Sequence, residues 1–203
     1  MHPNPAFRGE PEARSLAFAR KRAFGTLVRS AEPMPLLAHV PFLLDADGRT
    51  AELHLVRSNP IARGEDGAAV IAVTGPDGYV SPDWYRVPDQ VPTWNYVAVH
   101  LRGRLERRPH GEMRELLDRL SAEMEARLLP KTPWRTEKMD ADVLTRMMRQ
   151  IVPFRFHVED VQGTWKLTQN KPDAVRLRAA DALEAAGLTA GAAALAELMR
   201  DVR

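Results

Sequence analysis

Cysteine is absent from the 203 residues. That excludes disulfides, thiolate nucleophiles and cysteine-bound zinc, and it matches the usage of a reducing cytoplasm. Serine is scarce, and no nucleophile elbow, phosphate-binding Walker loop or HExxH helix is present, so hydrolase chemistry has no anchor. No apolar run approaches the ~18 residues of a membrane span. The opening MHPNPAFRGEPEAR has no apolar core of a signal peptide. The histidines and acids lack metal-ligand spacing, so no metal is expected. Charge of one sign is missing too: 29 basic residues stand against 27 acidic ones, a net +2. That balance gives little support to nucleic-acid binding.

What the chain has in excess is aromatic residues among prolines. Tyr79 to His100 reads YVSPDWYRVPDQVPTWNYVAVH and holds all three tyrosines and two of the four tryptophans. Prolines fix φ and remove donors, so this density predicts a stiff, kinked loop that presents flat rings. From Tyr96 the alternation YVAVHLRGRLE predicts a long strand. Read by residue chemistry, the loop is a wall for a planar ligand, a plug at one end of a barrel or the cover of a subunit interface.

Along the rest of the chain, residues 1–9 read as an extended arm, and a helix starts at Glu10-Pro11-Glu12 and continues to Ala23. Strands follow at 26–29, 36–44, 50–57 and 68–74, with Asp45-Ala-Asp-Gly48 as a hairpin signal and Gly75-Pro-Asp-Gly78 as a further turn. Met113, Leu116, Leu117, Leu120 and Met124 recur at helical spacing, as do Val143, Leu144, Met147 and Met148, which places a helical insertion at 111–150. Pro153–Val161 reads as the last strand and Gly163–Asn170 as a polar loop. Residues 174–203 form a helical tail, broken around Gly187–Gly191 and packed on the domain 1–173. Short connections between strands favour an antiparallel barrel, a mainly β fold with α additions.

Several stretches carry usable chemistry. Arg57-Ser58-Asn59-Pro60 is compatible with an anion, and is also ordinary turn chemistry. Lys166, Gln169 and Asn170, near Trp165, offer a point charge, amides and a flat face, which a phosphorylated ring cofactor needs. The clusters Arg20–Arg22 and Arg102, Arg104, Arg107 and Arg108 read as solvated faces rather than a nucleic-acid surface.

Three segments together extend this reading: LLAHVPF with HLVRSNP, YVSPDWY…QVPTWNYVAVHLRG, and IVPFRFHVEDVQGTWKLTQNK. In order and spacing they resemble the PaiB-type family of FMN-binding negative transcriptional regulators. Thr168 stands where the usual KLSQN pattern has serine. The resemblance implies a split β-barrel of the pyridoxamine-phosphate-oxidase type that pairs as a homodimer with FMN at the interface. It further implies that His39 runs beside the flavin and that Arg57, Ser58 and Asn59 lie near the phosphate. Trp94 and Asn95 would border the ring or the dimer seam, and Lys166, Gln169 and Asn170 would complete the polar shell. The function so implied is transcriptional regulation or redox or metabolite sensing in the cytoplasm, with DNA or the transcription machinery as partner. The alternative is an FMN-dependent oxidoreductase using a nicotinamide reductant, since the same fold serves both.

Overall fold

The computed structural model describes residues 2–202. Six strands close into a barrel in the order β1-β2-β3-β6-β5-β4. They are β1 (Phe24–Arg29), β2 (Leu36–Leu44), β3 (Thr50–Val56), β4 (Gly67–Val80), β5 (Thr93–Arg107) and β6 (Ile151–Lys166). The pairs β1–β2, β1–β4, β2–β3 and β3–β6 are antiparallel. The Asp45–Gly48 signal does join β2 to β3 as a hairpin, with the Thr50 N–H bonded to Asp45 Oδ1 at 3.0 Å.

The chain divides into two compact units, one formed by 1–18, 73–100 and 161–203, the other by 19–72 and 101–160. The second holds β1–β3 and the helical insertion. Its strands alternate: Leu27, Val40, Phe42, Leu53 and Leu55 point inward and are buried, as period-two patterning requires. The insertion comprises α3 (Met113–Ala126) and α4 (Ala141–Met148). Asp140 caps the latter by accepting from the N–H groups of Asp142 and Val143, each at 3.0 Å. In this unit α3 is tied to the strands by charges: Arg119 reaches Glu52 at 2.5 Å, Arg155 reaches Glu52 at 3.2 Å, and Arg108 bonds both Glu106 and Glu112. His157 Nε2 lies 2.6 Å from Glu106. The hydrogen bond from His157, with those from Arg108, holds the Glu106 carboxyl below its ordinary range.

The first unit is built differently. Two tail helices, α5 (Asp173–Ala186) and α6 (Ala192–Arg200), pack with the aromatic segment around one apolar cluster. Tyr85, Val97, Trp165, Leu167, Leu183, Leu195 and Met199 form its centre, all nearly or fully buried. Gly187, at φ 57°, ends α5 in the left-handed conformation that glycine adopts without penalty.

Three local readings of the sequence are corrected here. Gly75-Pro-Asp-Gly78 is not a turn, because β4 runs through it. A Cβ on Gly75 would lie 2.7 Å from Phe18, and one on Gly78 2.9 Å from Leu183, so these glycines permit close packing rather than chain reversal. Gly163–Lys166 is not a loop but the end of β6, with Thr164 and Trp165 buried. The arm 1–9 is not simply extended: Pro5–Phe7 forms a short 3₁₀ turn capped by Asn4, and Phe7 is buried. A short helix that the sequence reading did not anticipate, α2 (Pro60–Arg63), follows Asn59.

Candidate flavin site

The expected site residues fall into two groups, one in each unit. In the unit containing β1–β3, His39 sits mid-β2, opposite Thr26 of β1 in register. Its Nδ1 lies 3.1 Å from Thr26 Oγ1, and its ring is parallel to that of Phe24 within 14°, at 6.4 Å between centroids. The pair lies on the outer face of the sheet. Phe24 and Leu37, which share that face, are 48% and 58% exposed. Arg57 follows the end of β3. Its backbone N–H bonds Gln150 O at 2.7 Å and its Nε bonds Arg149 O at 3.0 Å. That leaves the terminal guanidinium nitrogens outward, with no carboxylate partner among the described residues. Ser58 is exposed beside it. Asn59 does a structural job: its Oδ1 accepts from Ile61 N at 2.9 Å and caps α2, where Pro60 occupies the first helical position.

In the other unit, Trp94 is 51% exposed on the outer side of β5, edge-on to Tyr79 at 6.5 Å. Asn95, the next residue, points inward and is only 1% exposed. Its Nδ2 donates to Thr168 Oγ1 at 2.7 Å and approaches Met199 Sδ at 3.3 Å, while its Oδ1 has no partner. Thr168 also bonds the Tyr85 hydroxyl, whose proton affinity is raised by burial against the opposing effect of that bond. Thr168 holds φ 65°, an unusual value for a β-branched residue. The Thr168 hydroxyl is thus the centre of a buried chain, Tyr85–Thr168–Asn95. Gln169 is likewise engaged: Oε1 accepts from Leu167 N at 2.8 Å, and Nε2 donates to Trp165 O at 2.5 Å and Ala6 O at 3.1 Å. Asn170 is exposed. Lys166 donates to Thr93 Oγ1 at 2.6 Å and has no ion pair among the described residues. Burial lowers its proton affinity.

The structure therefore sorts nine expected residues by what they have left to offer a ligand. His39, Arg57, Ser58, Trp94, Lys166 and Asn170 keep an open face or a free polar group. Gln169 spends both ends of its amide on the fold, Asn59 its Oδ1 and Asn95 its Nδ2, which leaves Asn95 Oδ1 without a partner. The set fits a phosphorylated flat ring: exposed aromatic faces stand in the same units as cations that lack counter-ions. Two cavities among the described residues do not offer this chemistry. One, of about 620 Å³, is bordered by Glu10, Arg14 and Asp201, and the other, of about 500 Å³, by Arg102, Glu159 and Asp160. In each the single arginine already faces a carboxylate, at 2.8 Å in Arg14–Glu10 and 3.7 Å in Arg102–Asp160.

The fold is that of a split-barrel flavoprotein. Residues 1–160 match the family model described as "Putative FMN-binding domain", and the chain belongs to this PaiB-like FMN-binding family; its cofactor is FMN. The chain is 30% identical over 188 residues to the "Protease synthase and sporulation protein PAI 2" of Bacillus subtilis (strain 168), covering 91% of this chain and 89% of that protein. Among solved structures, the FAD and heme binding protein from Mycobacterium smegmatis superposes with a TM-score of 0.56 at 15% identity, over 79% of this chain and 73% of its own. The flavocytochrome Anf3 from Azotobacter vinelandii gives 0.51 at 12% identity, over 75% and 66%. At these identities the likeness concerns the fold alone. Among the described residues no helix is long and apolar enough to cross a membrane.

Proposed function

We propose that the protein is a homodimeric FMN carrier that controls gene expression, with the bound flavin as the sensing element. The observation that carries this reading is the exposed outer face of β1 and β2. The register sets Phe24 opposite Pro41, Thr26 opposite His39 and Val28 opposite Leu37. An apolar sheet face of this kind, with a histidine at its centre and Leu37 58% exposed, is a surface that calls for cover. A second copy supplies cover, and a self-complementary patch is the usual basis of a two-fold pair. A planar ring beside His39 and Phe24 is then shielded from water on both sides.

Within this reading, His39 borders the ring, and Arg57 and Ser58 receive anionic oxygens. When bound, FMN supplies reversible electron or hydride uptake; the protein supplies orientation, electrostatics and exclusion of water. The regulatory part draws on the Bacillus subtilis relative, whose name refers to protease synthesis and sporulation. Both are programmes set by gene expression, and the same role is proposed for this chain.

The test has two arms. Light scattering on the eluting protein gives a dimer mass for the native chain and a monomer mass for Leu37→Glu, which sets two like charges into the seam. Deletion of the gene raises transcripts that return to the original level on complementation with the native chain but not with Leu37→Glu. A dimer that tolerates Leu37→Glu removes this face from the interface. A transcript profile unchanged by deletion removes the regulatory role.

A further inference from the structure

The helical insertion carries a cavity of about 430 Å³, a size common among small-molecule sites. Asp118, Ala122 and Ala126 lie four residues apart on one face of α3 and line it, as do Leu129 and Trp134 of the connection to α4. Leu129 is 65% exposed. Two carboxylates of α3 hold the connection in place. Glu125 Oε2 accepts the Trp134 backbone N–H at 2.8 Å and also the Lys131 ammonium. Asp118 Oδ1 accepts the buried Thr136 hydroxyl at 2.6 Å, and Oδ2 accepts Arg114 Nε at 2.9 Å. The walls are therefore preformed, which lowers the ordering cost of binding.

The acids around this cavity already have partners. Bonds from Lys131 and the Trp134 N–H hold the Glu125 carboxyl below its ordinary range, and Lys138 adds its field. Burial works to raise Asp118, but bonds from Thr136 and Arg114 outweigh it and keep that carboxyl low. Glu137 stands 3.7 Å from Arg114. The cations are less well matched. Arg135 borders the cavity, and its guanidinium has no hydrogen bond and no carboxylate among the described residues. Lys138 donates to Pro133 O at 3.3 Å, at the cavity's edge, and makes no ion pair among those residues. An apolar cavity with an aromatic wall and a spare guanidinium suits a flat ring that ends in a carboxylate. We infer that this cavity binds a small aromatic carboxylate, with the ring against Trp134, Leu129 and Ala122 and the carboxylate on Arg135. The site is built wholly from the helical insertion, so it does not depend on where the flavin lies.

The probe is 2-naphthoate, titrated by calorimetry into the full-length chain saturated with FMN. Its neutral and cationic counterparts are 2-naphthylmethanol and 2-naphthylmethylammonium. The native chain binds the naphthoate more tightly than the alcohol and does not bind the ammonium. Added salt narrows the lead of the acid over the alcohol. Ala122→Leu, which fills the cavity from an exposed helix position, removes naphthoate binding. Arg135→Gln weakens the naphthoate about threefold to tenfold and leaves the alcohol unchanged, as loss of a partly exposed charge-assisted bond implies. Arg135→Lys, which keeps the charge, restores most of the affinity; circular dichroism checks that each variant is folded. Naphthoate binding of native strength in Ala122→Leu overturns the proposal, because the ligand then sits elsewhere. So does a native chain that prefers the ammonium, or that binds no naphthoate.

Discussion

The two units differ in what lies beneath their helices. In the unit with β1–β3, α3 is tied to the strands by partly exposed ion pairs, Arg119–Glu52 and Arg155–Glu52, extended by Arg108–Glu112. In the other unit, α5 and α6 lie on an apolar cluster; Arg200 of α6 pairs in the open with Asp181 and Glu184 of α5, and other polar links are more buried. Arg176, 4% exposed, bonds Met199 O at the end of α6 as well as Asp173, and Arg178 donates to Tyr85 O at 2.8 Å. Exposed pairs are weak and screened by salt, whereas buried packing is strong and indifferent to it. The contrast teaches where each unit is vulnerable: one to salt and pH, the other to lost volume.

The largest effect should come from volume. Leu183 is buried at the heart of the tail cluster, and a Cβ on Gly78 would touch it. Leu183→Ala should cost about 2–5 kcal/mol. Hydrogen exchange should show protection lost first in α5, α6 and residues 79–100, with β1 and β2 less affected. Equal loss everywhere would break the distinction between the units.

A smaller effect is expected from pH in the other unit. Burial alone holds the His54 imidazole below its ordinary value, and its Nδ1 has no hydrogen-bond partner. The unfolded chain therefore takes up this proton first as pH falls. Stability should drop as pH is lowered from neutral through about 6.5 and on to the lower folded-state pKa. His54→Gln should flatten that part of the Tm-against-pH curve. An unchanged slope would assign the loss to other groups.

The smallest effect is electrostatic. Arg119→Gln should cost about 1 kcal/mol or less at low salt, and the difference should shrink further in high salt. A large, salt-independent loss would mean that Arg119 acts through packing of its stem.

Much of the barrel was legible because its strands alternate and its hairpin carries Asp45-Ala-Asp-Gly48. The helical insertion was legible from the three- and four-residue spacing of Met113, Leu116 and Leu120. What misled was glycine. Gly75, Gly78 and Gly163 were read as chain punctuation, yet each marks a place where another element comes too near for a side chain. That nearness joins residues far apart in sequence, such as Gly163 and Ser15, so local patterning does not contain it. The site shows the same limit. Asn59 and Gln169 look like ligand groups by type, and the fold also uses them: Asn59 Oδ1 in a helix cap and Gln169 Oε1 on the Leu167 N–H. Trp94 and Lys166 retain open chemistry.

Flavin held by a folded pair of chains is open to one direct experiment. The purified protein is incubated with excess FMN, desalted, and passed through size exclusion with mass and the visible flavin band recorded together. The predicted result is a dimer peak carrying about one flavin per chain, diminished in Arg57→Ala and Lys166→Ala. A dimer or monomer that elutes without flavin after loading would contradict it.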